Sequence, residues 1–412
     1  MKNRRKFDLK RSRGIIARFK EEKLLNRFIP IDKSSAIRAF LFSLMTEKEV
    51  FIVSSGELPL DAVSALESLK LFGKKVSKDG DLFRISGKSE KPCMAIDCGN
   101  SATVMHILMG IRNYLGFDFE LIGDESLMSR SHRDFYDAQK LYGGGFVETA
   151  LTKESAQLKS FHLISMLKSG GKLSFKYRTR RNTEELLRKM GAKLLERGNT
   201  ITVFPADSLD GFSVTLKKDP SSALIAVCTA LIFQKSFEFS DIYLDGTRIL
   251  PFTLLQNAGF NINLSEENGS FTVSGTPELT GEGENIEIGK EQVPAVIDEI
   301  PFLALMAACA GRHFSVKNAG WLRNKESDRI KESVKRLSLL FETEESEYGF
   351  EVGARKKTCS PLLFPHSSDH RMEMLSCLMS EYCGQTFESN GSYKISFPLF
   401  YEMTEFLRKD GK

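Results

Sequence analysis

Cationic and hydroxyl side chains open several apolar segments of this 412-residue chain, in an arrangement suited to binding anions. Lys33, Ser34 and Arg38 stand at the first opening, and Gly99-Asn-Ser-Ala and Ser155-Ala-Gln stand at the next two. The start of a helix exposes unpaired backbone N–H groups and a partial positive charge, so it favours phosphate or carboxylate. Two cations in a first turn oppose that dipole. We therefore expect an anionic partner near Lys33 and Arg38.

Charged residues stand at the corresponding places in the C-terminal half. Asp298-Glu-Ile-Pro opens an almost wholly apolar segment, Arg323-Asn-Lys-Glu-Ser-Asp-Arg-Ile follows it, and Asp369-His-Arg opens the last one. Each motif alone has an ordinary structural explanation, because Asp298 suits a helix N-cap and the charges at 325–329 suit the solvated face of a helix. Their recurrence at the same place in successive repeats favours a shared cleft.

A repeated unit must position these side chains, since six short polar turns each open a strongly apolar, helix-length segment. The six openings begin at Lys33, Gly99, Glu154, Asp219, Asp298 and Asp369. The residues that follow lack a wide polar face, so we expect six buried helices. In the fourth opening, Ser221 and Ser222 are predicted to act only as caps.

Amphipathic helices follow these segments, and most of them end at glycine, which is the usual left-handed helix stop. Their predicted spans are 58–72, 133–142, 182–190, 246–258, 326–341 and 398–409. Alternating apolar and polar residues predict strands between them, at 82–86, 201–204 and 271–274. Val50–Val53 is continuously apolar, which is typical of a strand buried on both faces.

These patterns predict an α/β (α+β) protein made of six βαβ-type modules. Three modules would form a domain, with three sheets packed around a bundle of buried helices. We predict an N-terminal domain at 25–236 and a second domain at 1–24 plus 237–412, with the join near 234–241 and the active site between them.

Composition limits the classes of partner. The chain is 41% hydrophobic and 27% charged, which is typical of a folded globular protein, and its net charge of +4 is too mild to indicate nucleic acid or a membrane surface. The longest nearly apolar run, 223–233, is too short to span a bilayer. Seven scattered cysteines without a CxxC pair indicate neither a metal site nor a disulfide framework. No apolar run follows the basic residues 1–14, so we expect a cytoplasmic protein without a secretory signal.

In its motifs the sequence resembles the 5-enolpyruvylshikimate-3-phosphate synthase family. The order and rough spacing of the motifs hold from Ile29 to Pro398, and Asp-Glu-Ile-Pro followed by Lys-Glu-Ser-Asp-Arg is the most specific part. The other matching segments are 32–38, 99–105, 122–127, 154–157, 219–223 and 369–372. The resemblance implies a two-domain inside-out α/β barrel of six modules.

The resemblance also implies an activity. Members transfer the enolpyruvyl group of phosphoenolpyruvate to the 5-hydroxyl of shikimate 3-phosphate and release phosphate, in the shikimate pathway to aromatic amino acids. We therefore expect a monomeric transferase with these two small-molecule substrates. No cofactor or metal, nucleic acid or membrane is implied.

By motif, the catalytic residues would be Lys33, Asp298 and Glu326. Asp298 would face the attacking hydroxyl as a positioner or general base, and Glu326 would act as acid and base at the methylene carbon. Shikimate 3-phosphate would contact Lys33, Ser34, Arg38, Ser155, Gln157, Arg180, Asp298 and Lys325. Phosphoenolpyruvate would contact Lys33, Asn100, Arg130, Arg329, Arg371 and Lys394.

The chain departs from the family pattern at several of these motifs. It has Ala36 and Ala156 in place of serines, Ala102 in place of an inner glycine, His106 in place of arginine, Trp321 in place of asparagine, and Lys394 one position off. The Ala102 methyl group would lie close to the phosphate of phosphoenolpyruvate, which predicts poor sensitivity to glyphosate. His106 would replace the arginine only if a bound phosphate raised its pKa.

Three alternatives remain at this point. The lost side chains motivate a non-catalytic homologue that binds an anionic ligand or a protein partner, although Asp298, Lys325, Glu326 and Arg371 are retained. The enolpyruvyl transferase that acts on UDP-N-acetylglucosamine normally has Lys-Asn where this chain has Lys33-Ser. An RNA 3′-phosphate cyclase would need a nucleophilic histidine, whereas His370 lies inside Asp-His-Arg.

Overall fold

The computed structural model describes residues 25–244, 246–357 and 361–409, so the predicted placement of 1–24 lies outside the described residues. Its helices are α1 (Lys33–Phe42), α2 (Leu60–Leu71), α3 (Ala102–Leu115), α4 (Glu125–Met128), α5 (Arg133–Gln139), α6 (Ala156–Ser165), α7 (Asn182–Lys189), α8 (Pro220–Ile232), α9 (Leu250–Asn257), α10 (Val293–Val296), α11 (Ile300–Cys309), α12 (Arg329–Leu337), α13 (His370–Tyr382) and α14 (Phe400–Lys409). Short 3-10 helices lie at Asn26–Phe28, Ser43–Met45, Gly320–Asn324 and Ser392–Ile395. In the described part of the chain, no helix is long and apolar enough to cross a membrane.

The strands are β1 (Val50–Val53), β2 (Lys75–Asp79), β3 (Leu82–Ser86), β4 (Ile96–Asp97), β5 (Leu121–Ile122), β6 (Val147–Ala150), β7 (Gly171–Ser174), β8 (Leu194–Arg197), β9 (Thr200–Val203), β10 (Ser213–Thr215), β11 (Phe237–Tyr243), β12 (Phe260–Glu267), β13 (Ser270–Leu279), β14 (Ile286–Ile288), β15 (Phe314–Val316), β16 (Phe341–Ser346) and β17 (Gly349–Arg355). Together with the helices they make a mixed α/β protein. The predicted fold class is therefore confirmed at that level.

All six polar openings lead into helices that are buried along most of their length, namely α1, α3, α6, α8, α11 and α13. Five of them begin at a side chain that accepts a hydrogen bond from a backbone N–H of the first turn. These N-cap residues are Asp32, Ser101, Ser155, Asp219 and Asp369. The exception is α11, whose N-cap position is Glu299, so Asp298 is not a cap. The capping role predicted for Ser221 and Ser222 is wrong, because both lie in the first turn of α8 behind Asp219.

The six amphipathic helices are also present, as α2, α5, α7, α9, α12 and α14. Gly191 and Gly259, which follow α7 and α9, have φ values of 82° and 97°, where a residue with a Cβ would be strained. Helix α12 begins later than predicted, at Arg329, because the Asp328 carboxylate accepts the Lys331 N–H at 3.0 Å. Lys325 and Glu326 therefore precede the helix.

The described residues form five sheets, with strand orders β10-β1-β3-β2, β4-β5, β6-β7-β9-β8, β11-β13-β12 and β14-β15-β17-β16. Three buried helices, α3, α6 and α11, each connect two parallel neighbouring strands, which makes three complete βαβ units. No strand lies in the described part of the last repeat, around α13 and α14. The burial of β1 on both faces is a wrong prediction, because Phe51 is half-buried beside Arg84 on the outer face.

Two separate hydrophobic cores divide the chain. The first core contains residues from Ile31 to Leu216, and the second core contains 25–29 together with residues from Ala223 to Leu407. Helix α8 packs in the second core, although the predicted first domain included it. Core packing therefore divides the chain around 217–219, before the predicted join at 234–241.

The chain crosses between the cores twice, in two short antiparallel segments. The Asp32 N–H donates to the Lys217 carbonyl at 2.8 Å, and the Asp219 N–H donates to the Pro30 carbonyl at 2.9 Å. Asp32 caps α1 of the first core, whereas Asp219 caps α8 of the second. The crossing therefore joins a buried helix of one core to a buried helix of the other.

These two buried caps form an acid pair in which one member takes up a proton below about pH 6. Burial raises the pKa of Asp32 to about 6, and the neighbouring Asp219 carboxylate raises it further. Burial alone would also raise the pKa of Asp219, but Arg248 and Arg371 lower it below its usual range. Asp32 is therefore the member that carries the proton below about pH 6, whereas Asp219 stays ionised.

A second buried pair supports the segment that precedes α7. Lys159 on α6 contacts Glu184 on α7 at 2.6 Å, and both side chains are less than 5% exposed. The Lys159 Nζ also donates to the carbonyl oxygens of Thr179, at 3.3 Å, and Arg180, at 2.8 Å. This ammonium group therefore fixes the backbone from which the Arg180 side chain projects.

We predict that Asp32→Asn stabilises the protein above pH 6. Because the folded-state pKa of Asp32 lies above its ordinary value of 3.8, the wild type loses stability as the pH rises from about 4 to about 6. Asparagine still accepts the Ser35 N–H and carries N–H donors, but it has no proton to lose as the pH rises. The free energy of unfolding of the variant should therefore exceed that of the wild type by on the order of 2 kcal/mol at pH 8 and by little at pH 4.5.

Denaturant unfolding at the two pH values would measure this difference. The matched variant Asp219→Asn should instead lose stability at pH 8, because it removes the ionised member beside Arg248. An equal effect of Asp32→Asn at both pH values would contradict the raised pKa of Asp32.

We also predict that Lys159→Met destabilises the protein by about 3–5 kcal/mol, since it leaves the Glu184 carboxylate buried and unpaired. The double variant Lys159→Met/Glu184→Leu should recover most of the loss. As a control, Lys172→Met breaks the exposed Lys172–Glu148 pair, which is 2.7 Å long, and should cost less than about 1 kcal/mol. If urea unfolding gave the same loss in free energy of unfolding for Lys159→Met and Lys172→Met, the buried Lys159–Glu184 pair would not have the stabilising role proposed here.

Candidate active site

A cavity of about 290 Å³ lies between the two cores. The first core contributes the starts of three buried helices, through Lys33 of α1, Thr103 of α3 and Gln157 of α6. The second core contributes the segments around Asp298 and Glu326. Three helix N-termini, each with unpaired N–H groups, thus converge on one space, which suits anions.

The cavity brings together most of the residues predicted from the sequence. Those that line it are Lys33, Ser34, Asn100, Arg130, Ser155, Gln157, Arg180, Asp298, Lys325 and Glu326. The four that do not line it are Arg38, Arg329, Arg371 and Lys394. Of these, Lys394 is exposed on the 3-10 helix Ser392–Ile395, whereas the three arginines are buried beside the cavity.

The two cations of α1 have different partners. Lys33 contacts the Asp61 carboxylate at 2.9 Å, so its predicted anionic partner is present within the chain. Burial would lower the pKa of Lys33, but Asp61 and Glu326 raise it, and the side chain is an ammonium. Arg38 donates instead to the hydroxyls of Thr183 and Ser160 and to the Ser34 carbonyl, at 2.7–3.0 Å. Burial lowers the pKa of Arg38 to about 10.

Arg329 is the centre of a carboxylate cluster in the second core. It donates to Asp369 at 2.8 Å, to Glu326 at 2.6 Å and to Asp298 at 3.2 Å, and its side chain is 1% exposed. The alternative explanation of 325–329 as a solvated helix face is therefore wrong for Arg329. The three carboxylates come from separate segments, which the pattern of a single helix does not reveal.

Asp298 lies among three cations. Its distances are 3.0 Å to Arg180, 3.5 Å to Lys325 and 3.2 Å to Arg329. Burial alone would raise the pKa of Asp298, but these cations, Lys325 and Arg180 first, hold it well below its usual range. The pair with Arg180 also joins the first core to the second across the cavity.

Glu326 is ionised for a similar reason. Burial would raise its pKa, but Arg329 and other nearby cations lower it far below the usual range of a glutamate. Arg130, from the first core, lies 3.9 Å from its other carboxylate oxygen. A second charged contact therefore crosses the cavity.

Arg371 carries buried donors that lack an acceptor. Its side chain is on the first turn of α13, the residue is 5% exposed, and its Nε and Nη1 atoms have no hydrogen-bond partner among the described residues. An unpaired buried cationic donor is costly. A bound anion would supply the missing acceptor.

His106 does not behave as the predicted substitute for arginine. Its Nδ1 lies 2.8 Å from Gln157, its Nε2 lies 2.9 Å from His132, and its ring stacks on Phe135 with centroids 3.4 Å apart. Burial lowers its pKa to about 3, so the imidazole is neutral at pH 7. Both ring nitrogens are used inside the protein, so in the free protein His106 offers no charge to a phosphate, and its charging by a bound phosphate stays a prediction.

Sequence reasoning missed several residues of the cavity wall. Asp61, His132, Lys153, Thr179 and Asn324 line it. Asn324 could have been found, because it directly precedes Lys325 in a recognised motif. Asp61 could not, since an acid in the first turn of an exposed helix is commonly explained by the helix dipole. Among the described residues, no group of three His, Cys, Asp or Glu side chains could hold a metal ion.

Solved structures show the same fold. An EPSP synthase from Acinetobacter baumannii superimposes with a TM-score of 0.74 at 24% identity, covering 92% of this chain and 94% of that one. The enolpyruvyl transferase NikO from Streptomyces tendae superimposes with a TM-score of 0.62 at 14% identity, over the same shares of the two chains. At these identities the likeness concerns the fold.

Sequence relatives cover nearly the whole chain. A 3-phosphoshikimate 1-carboxyvinyltransferase of Campylobacter curvus (strain 525.92) is 29% identical, covering 93% of this chain and 95% of its own length. One of Helicobacter pylori (strain Shi470) is 28% identical, covering 92% and 96%. The sequence model described as EPSP synthase (3-phosphoshikimate 1-carboxyvinyltransferase) matches residues 28–143 and 136–403. The chain therefore belongs to the EPSP synthase family.

Proposed function

We propose that this protein is a 3-phosphoshikimate 1-carboxyvinyltransferase of the shikimate pathway, on which aromatic amino acid biosynthesis depends. It transfers the enolpyruvyl group of phosphoenolpyruvate to the 5-hydroxyl of shikimate 3-phosphate and releases phosphate. The observation that carries the proposal is one cavity in which Asp298 and Glu326 lie among Lys33, Arg180 and Lys325. Two substrates that together bear two phosphates and two carboxylates need such converging cations.

We assign shikimate 3-phosphate to the side of the first core. Ser34, Ser155 and Gln157 lie at helix starts there, and Arg180 reaches the cavity from the segment that Lys159 supports. Arg38 donates to the Ser34 carbonyl from behind the cavity wall. Its role is therefore to hold Ser34 in place, and not to contact the substrate directly as the motif implied.

We assign phosphoenolpyruvate to the space between Arg130, Lys325 and Arg371. The unpaired Nε and Nη1 of Arg371 support this assignment, because a phosphate or carboxylate would satisfy both once closure of the cavity brings Arg371 into its wall. Arg329 contributes by fixing Asp298 and Glu326, since its own donors are already used. Lys394, being exposed, would take part only after a rearrangement of its segment.

The ionisation states suggest how protons move. Replacing phosphate at a vinylic carbon by an alcohol requires the methylene carbon to gain a proton as the oxygen adds, and to lose one as phosphate leaves. In the free protein Lys33 is an ammonium and Glu326 a carboxylate, so Lys33 is the proton donor and Glu326 the acceptor. Asp298 accepts the hydrogen bond of the attacking hydroxyl.

Substrate binding would strengthen Asp298 as a base. In the free protein three cations lower its pKa, and a weak base removes a proton poorly. Anionic substrates would compete for Arg180 and Lys325, and the pKa of Asp298 would then rise toward its ordinary range. The same competition would couple binding to closure of the cavity.

We further propose the family's two-domain inside-out barrel of six modules for this chain, acting as a monomer in the cytoplasm. The two cores and the three βαβ units support the architecture. The active site would lie in the cleft between the domains, with shikimate 3-phosphate on the N-terminal side and phosphoenolpyruvate on the C-terminal side.

We expect purified protein to release phosphate only when both substrates are present. Asp298→Asn should lower kcat roughly 10²–10⁴-fold, because it removes the acceptor for the hydroxyl proton. Asp328→Asn makes the same chemical change in a cap outside the cavity, and its rate should stay close to that of the wild type. Absence of release, with shikimate 3-phosphate still bound in calorimetry, would indicate a non-catalytic homologue.

We also expect weak inhibition by glyphosate and a gain in sensitivity of roughly tenfold or more in Ala102→Gly. Ala102 is the first residue of α3 and lines the cavity, so its methyl group takes space beside phosphoenolpyruvate. The matched variant Ala156→Gly alters the first residue of α6, on the same cavity, and should leave inhibition unchanged. Potent inhibition of the wild type would refute the steric role.

A further inference from the structure

A chain of hydrogen bonds runs along the first-core wall of the cavity. Thr103 Oγ1 lies 2.9 Å from Gln157 Nε2, and Gln157 Oε1 lies 2.8 Å from His106 Nδ1. His106 Nε2 lies 2.9 Å from His132 Nδ1, and His132 Nε2 lies 2.9 Å from the Leu127 carbonyl oxygen. The two histidines are 4% and 7% exposed, so the protein itself determines where their protons lie.

The positions of these protons follow from the fixed end of the chain. The Leu127 carbonyl only accepts, so His132 carries a proton on Nε2. A neutral imidazole has one N–H, so His132 Nδ1 accepts and His106 Nε2 donates. His106 Nδ1 is then left with a lone pair, which faces the amide oxygen of Gln157. Two acceptors 2.8 Å apart repel each other.

An extra proton on either ring would remove the conflict only by burying a charge. Burial lowers the pKa of His106 to about 3, and Lys153 and Arg130, both cations, lower it as well. Rotating the Gln157 amide by 180° removes the same conflict without a charge, because it exchanges nitrogen and oxygen while preserving shape. Gln157 Nε2 then donates to His106, and the Thr103 hydroxyl donates to Gln157 Oε1.

We propose that His106 and His132 are positioning residues that hold the Gln157 amide with its nitrogen toward His106. In this orientation the second N–H of Gln157 is free to donate to an anion in the cavity. The Thr103 O–H is used by Gln157 and cannot donate to the ligand. This neutral chain of hydrogen bonds through Thr103, Gln157, His106 and His132, called the relay below, therefore lies where the motif predicted the fixed charge of an arginine.

The assignment of the ligand as shikimate 3-phosphate rests on the proposed function, whereas the relay is a property of the free protein. Without an acceptor at His132, the proton of His106 can move from Nε2 to Nδ1, where it would donate to Gln157 and allow the amide to turn back. The free N–H that faces the ligand would then be lost. His132 thus affects ligand binding through two intervening side chains.

A neutron crystal structure of the unliganded, deuterium-exchanged protein tests the relay directly, because it distinguishes nitrogen from oxygen and locates the deuterons. We expect deuterons on Nε2 of His106 and of His132, bare Nδ1 atoms, and the Gln157 nitrogen toward His106. A deuteron on His106 Nδ1, or two on either ring, would overturn the proposal.

Calorimetry with shikimate 3-phosphate tests the consequence. His132→Leu removes the acceptor and should weaken binding about ten- to hundredfold. His132→Asn places an amide oxygen where Nδ1 was and should restore most of the affinity. Equal losses in both variants, or no loss in His132→Leu, would overturn the positioning role. If the wild type binds no shikimate 3-phosphate, the proposed function fails, while the neutron structure still decides the relay.

Discussion

One buried guanidinium organises the second-core side of the cavity. Arg329 contacts Asp298, Glu326 and Asp369, and without a cation among them three carboxylates this close would repel one another and take up protons. Asp369 caps α13, whereas the other two lie just before α11 and α12. The same guanidinium therefore fixes the starts of three helices relative to one another. The geometry of the two acids depends on a residue that does not line the cavity.

The positions of the helices could be predicted from the sequence because their starts depend on local chemistry. Five of the six buried helices begin at a short polar side chain that satisfies a backbone N–H within the same turn. Asp298 does not cap its helix, because its carboxylate instead pairs with cations from other segments of the chain. The division between the cores was misplaced for a related reason, since the apolar pattern of α8 does not say which core buries it.

The charged residues of the site could be predicted only as far as their motifs extend. Lys33, Asp298 and Glu326 lie in recognisable segments, and all three reach the cavity. Asp61 and His132 could not be predicted, because their contacts join positions far apart in sequence. The position of Arg38 behind the cavity wall could not be predicted, because it depends on the hydroxyls of Ser160 and Thr183, which are far away in the sequence.

The double crossing near Asp32 and Asp219 makes the first core an insertion within the second. Its two ends meet, since the Asp32 N–H donates to the Lys217 carbonyl at 2.8 Å. During synthesis, the first core has all its residues once Leu216 has been made, whereas the second core needs residues 25–29 and also residues as late as Leu407. The first core can thus fold before the second. Residues 25–29 can complete their packing in the second core only after α14 has been made.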